Sequence, residues 1–430
     1  MKVALLGNTC NNNFAFLRYL LDLDIDAHLY LYSNEGKGEE NPIHAPEWDS
    51  YSASLYQDKI SYLNIPNGIA SVIGRPDKFI LPLNLSKLSK TLSKYDICVG
   101  SGLAPAIFLR MNKHLDVFTP YGIGLEWVAD NENKKKLETL NLEWPFRKLL
   151  TYFQLQGLRK TRIVTSWLPG ITAEVFKNHS IPTRYMHVPA YYVEQSTKSP
   201  IEALKTLDNS LIKEITNKDS FKTFSFMRHY WVFNKKRNDK KTWMTCNKNN
   251  NFLIEGFSEF IKESNNINCK LFLSAWGQDL EESRQLVRDL NIEENVLWMP
   301  LMPRAQITYI LNNYANLAVG EFIVSSEEHW GSTAWECIAL GVPFLQTVNY
   351  TEASFKQFWD YGLPPEILNV KSSRDVTHHM KSIYKKSYNA CLRSYKNQDW
   401  FKANNAHSLT EKWVELFEEI TFKKRIENID

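Results

Sequence analysis

Several signatures that would place a protein quickly are missing from this chain. No apolar run in its 430 residues approaches the length of a bilayer span, so no membrane-spanning helix is expected in this sequence. Its charges nearly balance, 51 Lys and Arg against 48 Asp and Glu for a net +3, too mild an excess to indicate a nucleic-acid partner. None of the six cysteines (Cys10, Cys98, Cys246, Cys269, Cys337, Cys391) stands at C-x-x-C spacing. That argues against a zinc site or a disulfide framework and suits buried free thiols in a reducing compartment. Met1-Lys2 runs directly into the first strand, so no cleavable leader and a cytoplasmic protein are expected. That strand ends at Gly7 without the G-x-G-x-x-G pattern, so nothing supports a bound dinucleotide.

What is present is globular: 43% hydrophobic and 23% charged residues. A chain of this length exceeds what one core usually organises, so two domains are expected. The polar stretch 194–200 is the natural linker, dividing the chain into 1–198 and 199–430. Both halves alternate short apolar runs with helical periodicity, the pattern of an α/β protein with parallel sheets. In the first half strands are expected at 3–6, 27–32, 95–102, 116–119, 162–167 and 185–189, with helices at 14–21 and 104–109 and another opening at 169–170. Residues 33–77 give no firm assignment. In the second half strands are expected at 223–228, 271–277, 295–300, 317–319 and 343–348. Helices are expected from 252, at 280–290 and 303–311, and finally at 404–420.

The most informative stretch is Glu328-His329-Trp330-Gly331-Ser332-Thr333-Ala334-Trp335-Glu336, which leads into Gly341-Val342-Pro343. Gly331, Ser332 and Thr333 open a helix that Gly341 closes at the usual C-terminal position. A glycine and hydroxyls at a helix start leave backbone N–H groups unengaged at the positive dipole end, a place that favours phosphate. Glu336 follows about one turn inside, within reach of a hydroxyl-bearing ligand at the same mouth. The alternative is a surface helix with two ordinary glutamates.

Two glutamates with seven residues between them, Gly three positions after the first and a closing Gly-x-Pro resemble the donor site of retaining GT-B glycosyltransferases, above all family 4. That resemblance implies two Rossmann-like doubly wound domains facing a central cleft. The first would be an acceptor domain and the second a nucleotide-sugar donor domain, with the last helix, about 404–420, packing back on the first. It covers residues 223–348 with specific motifs and the first half at the level of fold. The family places an Arg and a Lys on the donor diphosphate, and Arg228 and Lys248 match them. Asn249 stands where the family has Gly, and an insertion at 229–247, with Lys235-Lys236-Arg237, separates the two cations. Where family members carry a His on the donor sugar this chain has Tyr121, with Gly122 and Glu126 close by on the acceptor side.

The activity implied is transfer of a sugar from a UDP- or GDP-type donor to a glycan or lipid-linked acceptor, with retention and without cofactor or metal, in surface polysaccharide or glycoconjugate synthesis. Glu328 would contact the sugar, and Arg228 and Lys248 would steady charge on the leaving diphosphate. Glu336 would hold the ribose, and His329, Trp330, Gly331, Ser332, Thr333 and Gly7 would complete the donor contacts. The Asn-rich loop 8–13 after Gly7 reads equally as an ordinary turn between strand and helix. Residues 144–155, with Pro145 in a first helical turn, mix cations, aromatics and leucines. They fit either an internal helix with a basic edge or a peripheral contact at the inner membrane face. Two rivals remain at this point: a GT-B-like sugar-nucleotide epimerase and a non-catalytic sugar-nucleotide-binding module.

Overall fold

The structure, a computed structural model, describes residues 1–32, 44–63, 85–120, 144–166, 171–189, 191–194, 203–234, 243, 247–264, 268–324, 330–358, 362–387 and 393–427. The chain divides into two compact units, one of Met1–Tyr192 with Ala403–Asp430 and one of Val193–Lys402. The first passage between them lies a few residues before the 198/199 boundary drawn from the linker composition. The chain then returns to the first unit for its last helix.

The first unit begins β1 (Lys2–Leu6), α1 (Asn12–Asp22), β2 (Asp26–Tyr32), α2 (Pro46–Asp49) and β3 (Ile60–Leu63). It continues through α3 (Leu85–Leu92), β4 (Ile97–Gly100), α4 (Ala104–Arg110), β5 (Val117–Phe118) and α5 (Trp144–Lys160). Then come β6 (Ile163–Ser166), α6 (Ile171–Asn178) and β7 (Arg184–Tyr185). The strands form a parallel sheet in the order β3-β2-β1-β4-β5-β6-β7. β1 is central, pairing β2 through Leu5↔Leu29 and β4 through Leu5↔Val99. Its four residues from Val3 to Leu6 are all buried, which is why the sequence shows an unbroken apolar run there. Successive side chains point to opposite faces. Val3 and Leu5 meet Phe14, Phe16 and Leu17 of α1, whereas Ala4 and Leu6 join Phe108, Phe118 and Leu150.

The second unit holds α7 (Asn209–Thr216), β8 (Phe221–Ser225), α8 (Asn250–Glu263), β9 (Cys269–Ser274), α9 (Leu280–Asp289) and β10 (Val296–Met299). It continues through α10 (Arg304–Tyr314), β11 (Leu317–Val319), α11 (Ser332–Leu340), β12 (Phe344–Gln346) and α12 (Glu352–Phe358). β13 (Leu368–Asn369), α13 (Ser373–Ser387) and α14 (Tyr395–Asn404) complete it. Its parallel sheet runs β10-β9-β8-β11-β12-β13. Leu271, Leu273, Leu317, Val319 and Leu345 face Leu253, Phe257 and Phe260 of α8 and Val376 and Met380 of α13. Gly256 allows α8 and α13 to approach closely, because a Cβ there would stand 2.5 Å from the Ser373 carbonyl oxygen. The chain ends with α15 (Ala406–Glu427), which returns to α1 in the first unit and buries Trp413 against Phe16 and Phe417.

Three expectations change. The helix expected at about 404–420 is α15, which starts at Ala406, where the backbone is left-handed (φ 52°), and runs on to Glu427. The strand expected at 185–189 pairs only over Arg184–Tyr185. The unassigned stretch 33–77 contains β3, an edge strand whose residues bury only at Leu63 and so carry no apolar signature.

Candidate functional site

In a doubly wound sheet, ligands gather outside the C-terminal ends of the strands, where strand order reverses. In the second unit that point lies between β8 and β11, whose last residues Ser225 and Val319 are register partners. The chain leaves these strands into residues 226–234 and 320–324, and Arg228, Lys248 and Gly331 stand on or against those two segments.

The segment after β8 is tied down immediately. His229 is buried, and its Nε2 lies 2.9 Å from the Ser274 carbonyl oxygen while Nδ1 lies 2.8 Å from Ser283 Oγ. A carbonyl only accepts, so Nε2 carries the proton and Nδ1 accepts from the Ser283 hydroxyl. Trp231 Nε1 donates to that same hydroxyl oxygen at 2.8 Å. Burial lowers the His229 pKa to about 4, so the ring is neutral. The Asp279 carboxylate receives the backbone N–H groups of Trp231 and Val232 at 2.7 and 2.9 Å. Gly277, at φ 119°, lets the β9 exit pass under this knot, since a Cβ there would fall 2.3 Å from the His229 nitrogen. Arg228, immediately before the knot, is exposed, with its guanidinium 5.6 Å from the centre of the Tyr230 ring.

Lys248 stands on a turn fastened to the same segment. Its backbone N–H donates to the Tyr230 carbonyl at 2.7 Å, and the Tyr230 N–H donates to Asn250 Oδ1 at 3.0 Å. Asn249 caps α8 in the left-handed region (φ 45°) and donates to the Phe322 carbonyl at 2.6 Å, joining the two segments. The Lys248 ammonium pairs with Glu321 Oε1 at 2.6 Å. Glu321 is fixed through its main chain, whose N–H donates to Gln346 Oε1 at 2.8 Å and whose carbonyl accepts from Gln346 Nε2 at 2.7 Å.

Gly331 is the N-cap of α11, and a Cβ on it would lie 2.8 Å from the Glu321 carboxyl carbon. Ser332 and Thr333 form the first turn, and Gly341 ends the helix in the left-handed region (φ 67°), as its sequence position suggested. Trp330 is buried, its ring stacked on Phe355 and set against Trp335 and Trp400, which anchors the helix start in an aromatic cluster. Glu336 is also buried, and its Oε1 pairs with Arg304 Nε at 2.9 Å.

The structure therefore places Arg228, Lys248 and Gly331 on or against the segments that leave β8 and β11, while Trp330, Ser332 and Thr333 lie at the start of α11 and Glu336, inside it, pairs with Arg304. Gly7 belongs to the first unit, at the reversal point between β1 and β4, with a left-handed backbone (φ 85°) and the Ser101 hydroxyl against its α-carbon. Glu328, His329, Tyr121, Gly122 and Glu126 lie outside the described residues. Sequence reasoning missed Glu321 and Arg304. Each had a signal: Glu321 stands two residues beyond the central strand β11, and Arg304 opens α10 beside Pro303. Among the described residues no cluster of three or more His, Cys, Asp or Glu is arranged to hold a metal ion.

Two parallel doubly wound units of this kind constitute the GT-B fold. No protein-family model matches the sequence, and no curated protein does. Solved structures do. HepE of Anabaena, solved in complex with UDP, aligns over 97% of this chain and 100% of its own at 12% identity and a TM-score of 0.57. A glycosyltransferase from Rickettsia africae aligns over 97% of this chain and 98% of its own at 10% identity and a TM-score of 0.57. A putative UDP-N-acetylglucosamine 2-epimerase from Listeria monocytogenes aligns over 100% of this chain and 97% of its own at 12% identity and a TM-score of 0.50. At these identities the likeness is one of fold.

Proposed function

We propose that this chain is a retaining glycosyltransferase, of the kind found in family 4, that moves a sugar from a nucleoside-diphosphate donor of UDP or GDP type to a glycan or lipid-linked acceptor. The observation that carries this reading is the placement of Arg228, Lys248 and the glycine-capped start of α11 on or against the segments that leave β8 and β11 at their reversal point. Two cations and a helix N-terminus there suit a diphosphate, and HepE, which shares the fold, was solved with UDP.

In the proposed mechanism the bond from sugar to phosphate breaks, and negative charge grows on the departing diphosphate. Arg228, Lys248 and the N–H groups of α11 stabilise that growing charge, so their contribution is larger in the transition state than in the ground state. These groups supply the charge that a metal ion supplies elsewhere, and the proposed reaction needs no metal. Glu336 holds the ribose, and Arg304 orients its carboxylate. Glu328 contacts the sugar. The leaving phosphate oxygen accepts the acceptor's proton on the face it departs from. A lipid-linked acceptor would bring the protein to the inner face of a membrane, and α5 exposes Leu149, Tyr152, Arg159 and Lys160.

The second reading, a sugar-nucleotide epimerase, rests on the likeness to the Listeria protein. A panel of UDP-, GDP- and ADP-sugars tests the proposal first by thermal shift, since a ligand bound only by the folded chain raises its stability. Turnover with and without added acceptor then separates the two readings. Acceptor-dependent release of nucleoside diphosphate supports transfer. Conversion of the sugar nucleotide without acceptor and without release of diphosphate would establish the epimerase instead.

A further inference from the structure

Glu321 occupies the place in the second unit where the proposed function needs an anion from outside. Its carboxylate pairs with Lys248 at 2.6 Å and rests against the α-carbon of Gly331, the N-cap of α11. It thus touches two of the groups assigned to the donor diphosphate, a lysine and a helix N-terminus. The contact with α11 depends on glycine: a Cβ at 331 would come within 2.8 to 3.2 Å of all three carboxylate atoms. The main chain of Glu321 is held at both its N–H and its carbonyl by Gln346, but 27% of the side chain is exposed. A fixed backbone with a partly exposed side chain allows the carboxylate to rotate away without disturbing β11 or β12.

We propose that Glu321 is an internal substitute for the donor diphosphate, neutralising Lys248 and the start of α11 before the donor binds and yielding both when it does. This rests on the donor reading given above. A buried lysine facing a positive helix end costs stability unless an anion accompanies it, and Glu321 is that anion. The same carboxylate sets a threshold for ligands. A monoanion offers less charge to Lys248 and the helix than a diphosphate does, so exchange with Glu321 favours the diphosphate. Apparent donor affinity is reduced by the fraction of molecules in which Glu321 holds the site.

The test is calorimetric titration of UDP, GDP and inorganic pyrophosphate into the full chain and its variants. Glu321→Gln, of equal size without the charge, is expected to bind nucleoside diphosphate about tenfold tighter, equivalent to roughly 1.4 kcal/mol. Glu321→Asp, folded with a carboxylate but one methylene shorter, is expected to tighten binding by a smaller factor. In a Lys248→Met background the Glu321→Gln change should tighten binding by a smaller factor, because only the start of α11 is released. Binding by the unaltered chain that is unchanged or weakened in both Glu321 variants would overturn the proposal and leave the donor reading standing, with Glu321 then a positioning partner of Lys248. Failure of the unaltered chain and of both variants to bind any of the three ligands would instead overturn the donor reading, and this inference with it.

Discussion

Arg228 and His229 are neighbours with opposite environments, one exposed and one buried, and each supports a prediction at the scale of a single residue. Arg228→Ala removes an exposed side chain, so the fold should persist while turnover falls about 10²–10³-fold, the usual effect of losing one group that stabilises developing charge. Steady-state release of nucleoside diphosphate measures this, and near-normal turnover would remove Arg228 from the site. For His229, burial lowers the pKa from 6.5 to about 4, and for His187 burial lowers it to about 3. Well above pH 6.5 both rings are neutral whether folded or unfolded, and they add no pH dependence. As pH falls below 6.5 the unfolded chain takes up protons that the folded one refuses, so stability declines towards pH 4 and, for His187, further. At pH 5 the His229 contribution amounts to roughly 2 kcal/mol. Urea midpoints should therefore drop between pH 7.5 and 5, and the drop should be smaller in His229→Gln. Midpoints that do not move would contradict the neutral, buried ring.

At the scale of elements, legibility followed burial. β1, β11 and the helix from Ser332 to Leu340 were readable because buried strands leave unbroken apolar runs and because Gly331 and Gly341 mark the helix ends. β3 and β13 were not, being short edge strands with little buried surface. The Lys248 ion pair was half legible: Lys248 stood among the candidates, but its partner did not. An ion pair between Lys248 and Glu321 joins residues far apart in sequence, and no local pattern records it. The same held for Arg304 with Glu336. α5 supplies the prediction that belongs to this scale. Leu149 and Tyr152, 39% and 56% exposed, stand one turn apart, with the exposed cations Arg159 and Lys160 at the helix end. If that face meets a membrane, the protein should sediment with anionic vesicles, and less so as salt rises. Equal sedimentation with neutral and anionic vesicles would exclude the contact.

At the scale of the whole molecule, the two units differ in how the chain completes them. The second is one continuous segment, whereas the first needs the chain's last helix, whose Trp413, Leu416 and Phe417 are buried with α1. A fragment of residues 1–192 would expose that apolar face and is expected to aggregate. A fragment of residues 193–402 keeps its core and is expected to remain soluble and to bind nucleoside diphosphate. Soluble, monomeric 1–192 would show that α15 is dispensable to the first unit. The central claim, transfer from a nucleotide sugar with retention, concerns the complete chain and its reaction. It is tested most directly by proton NMR of the first product formed from an α-configured donor. Departure of the diphosphate and entry of the acceptor on one face of the sugar require an α-linked product, with the small anomeric coupling of that configuration for a gluco- or galacto-configured sugar. A β-linked product would contradict the same-face mechanism and the part given in it to the Glu328–Glu336 motif.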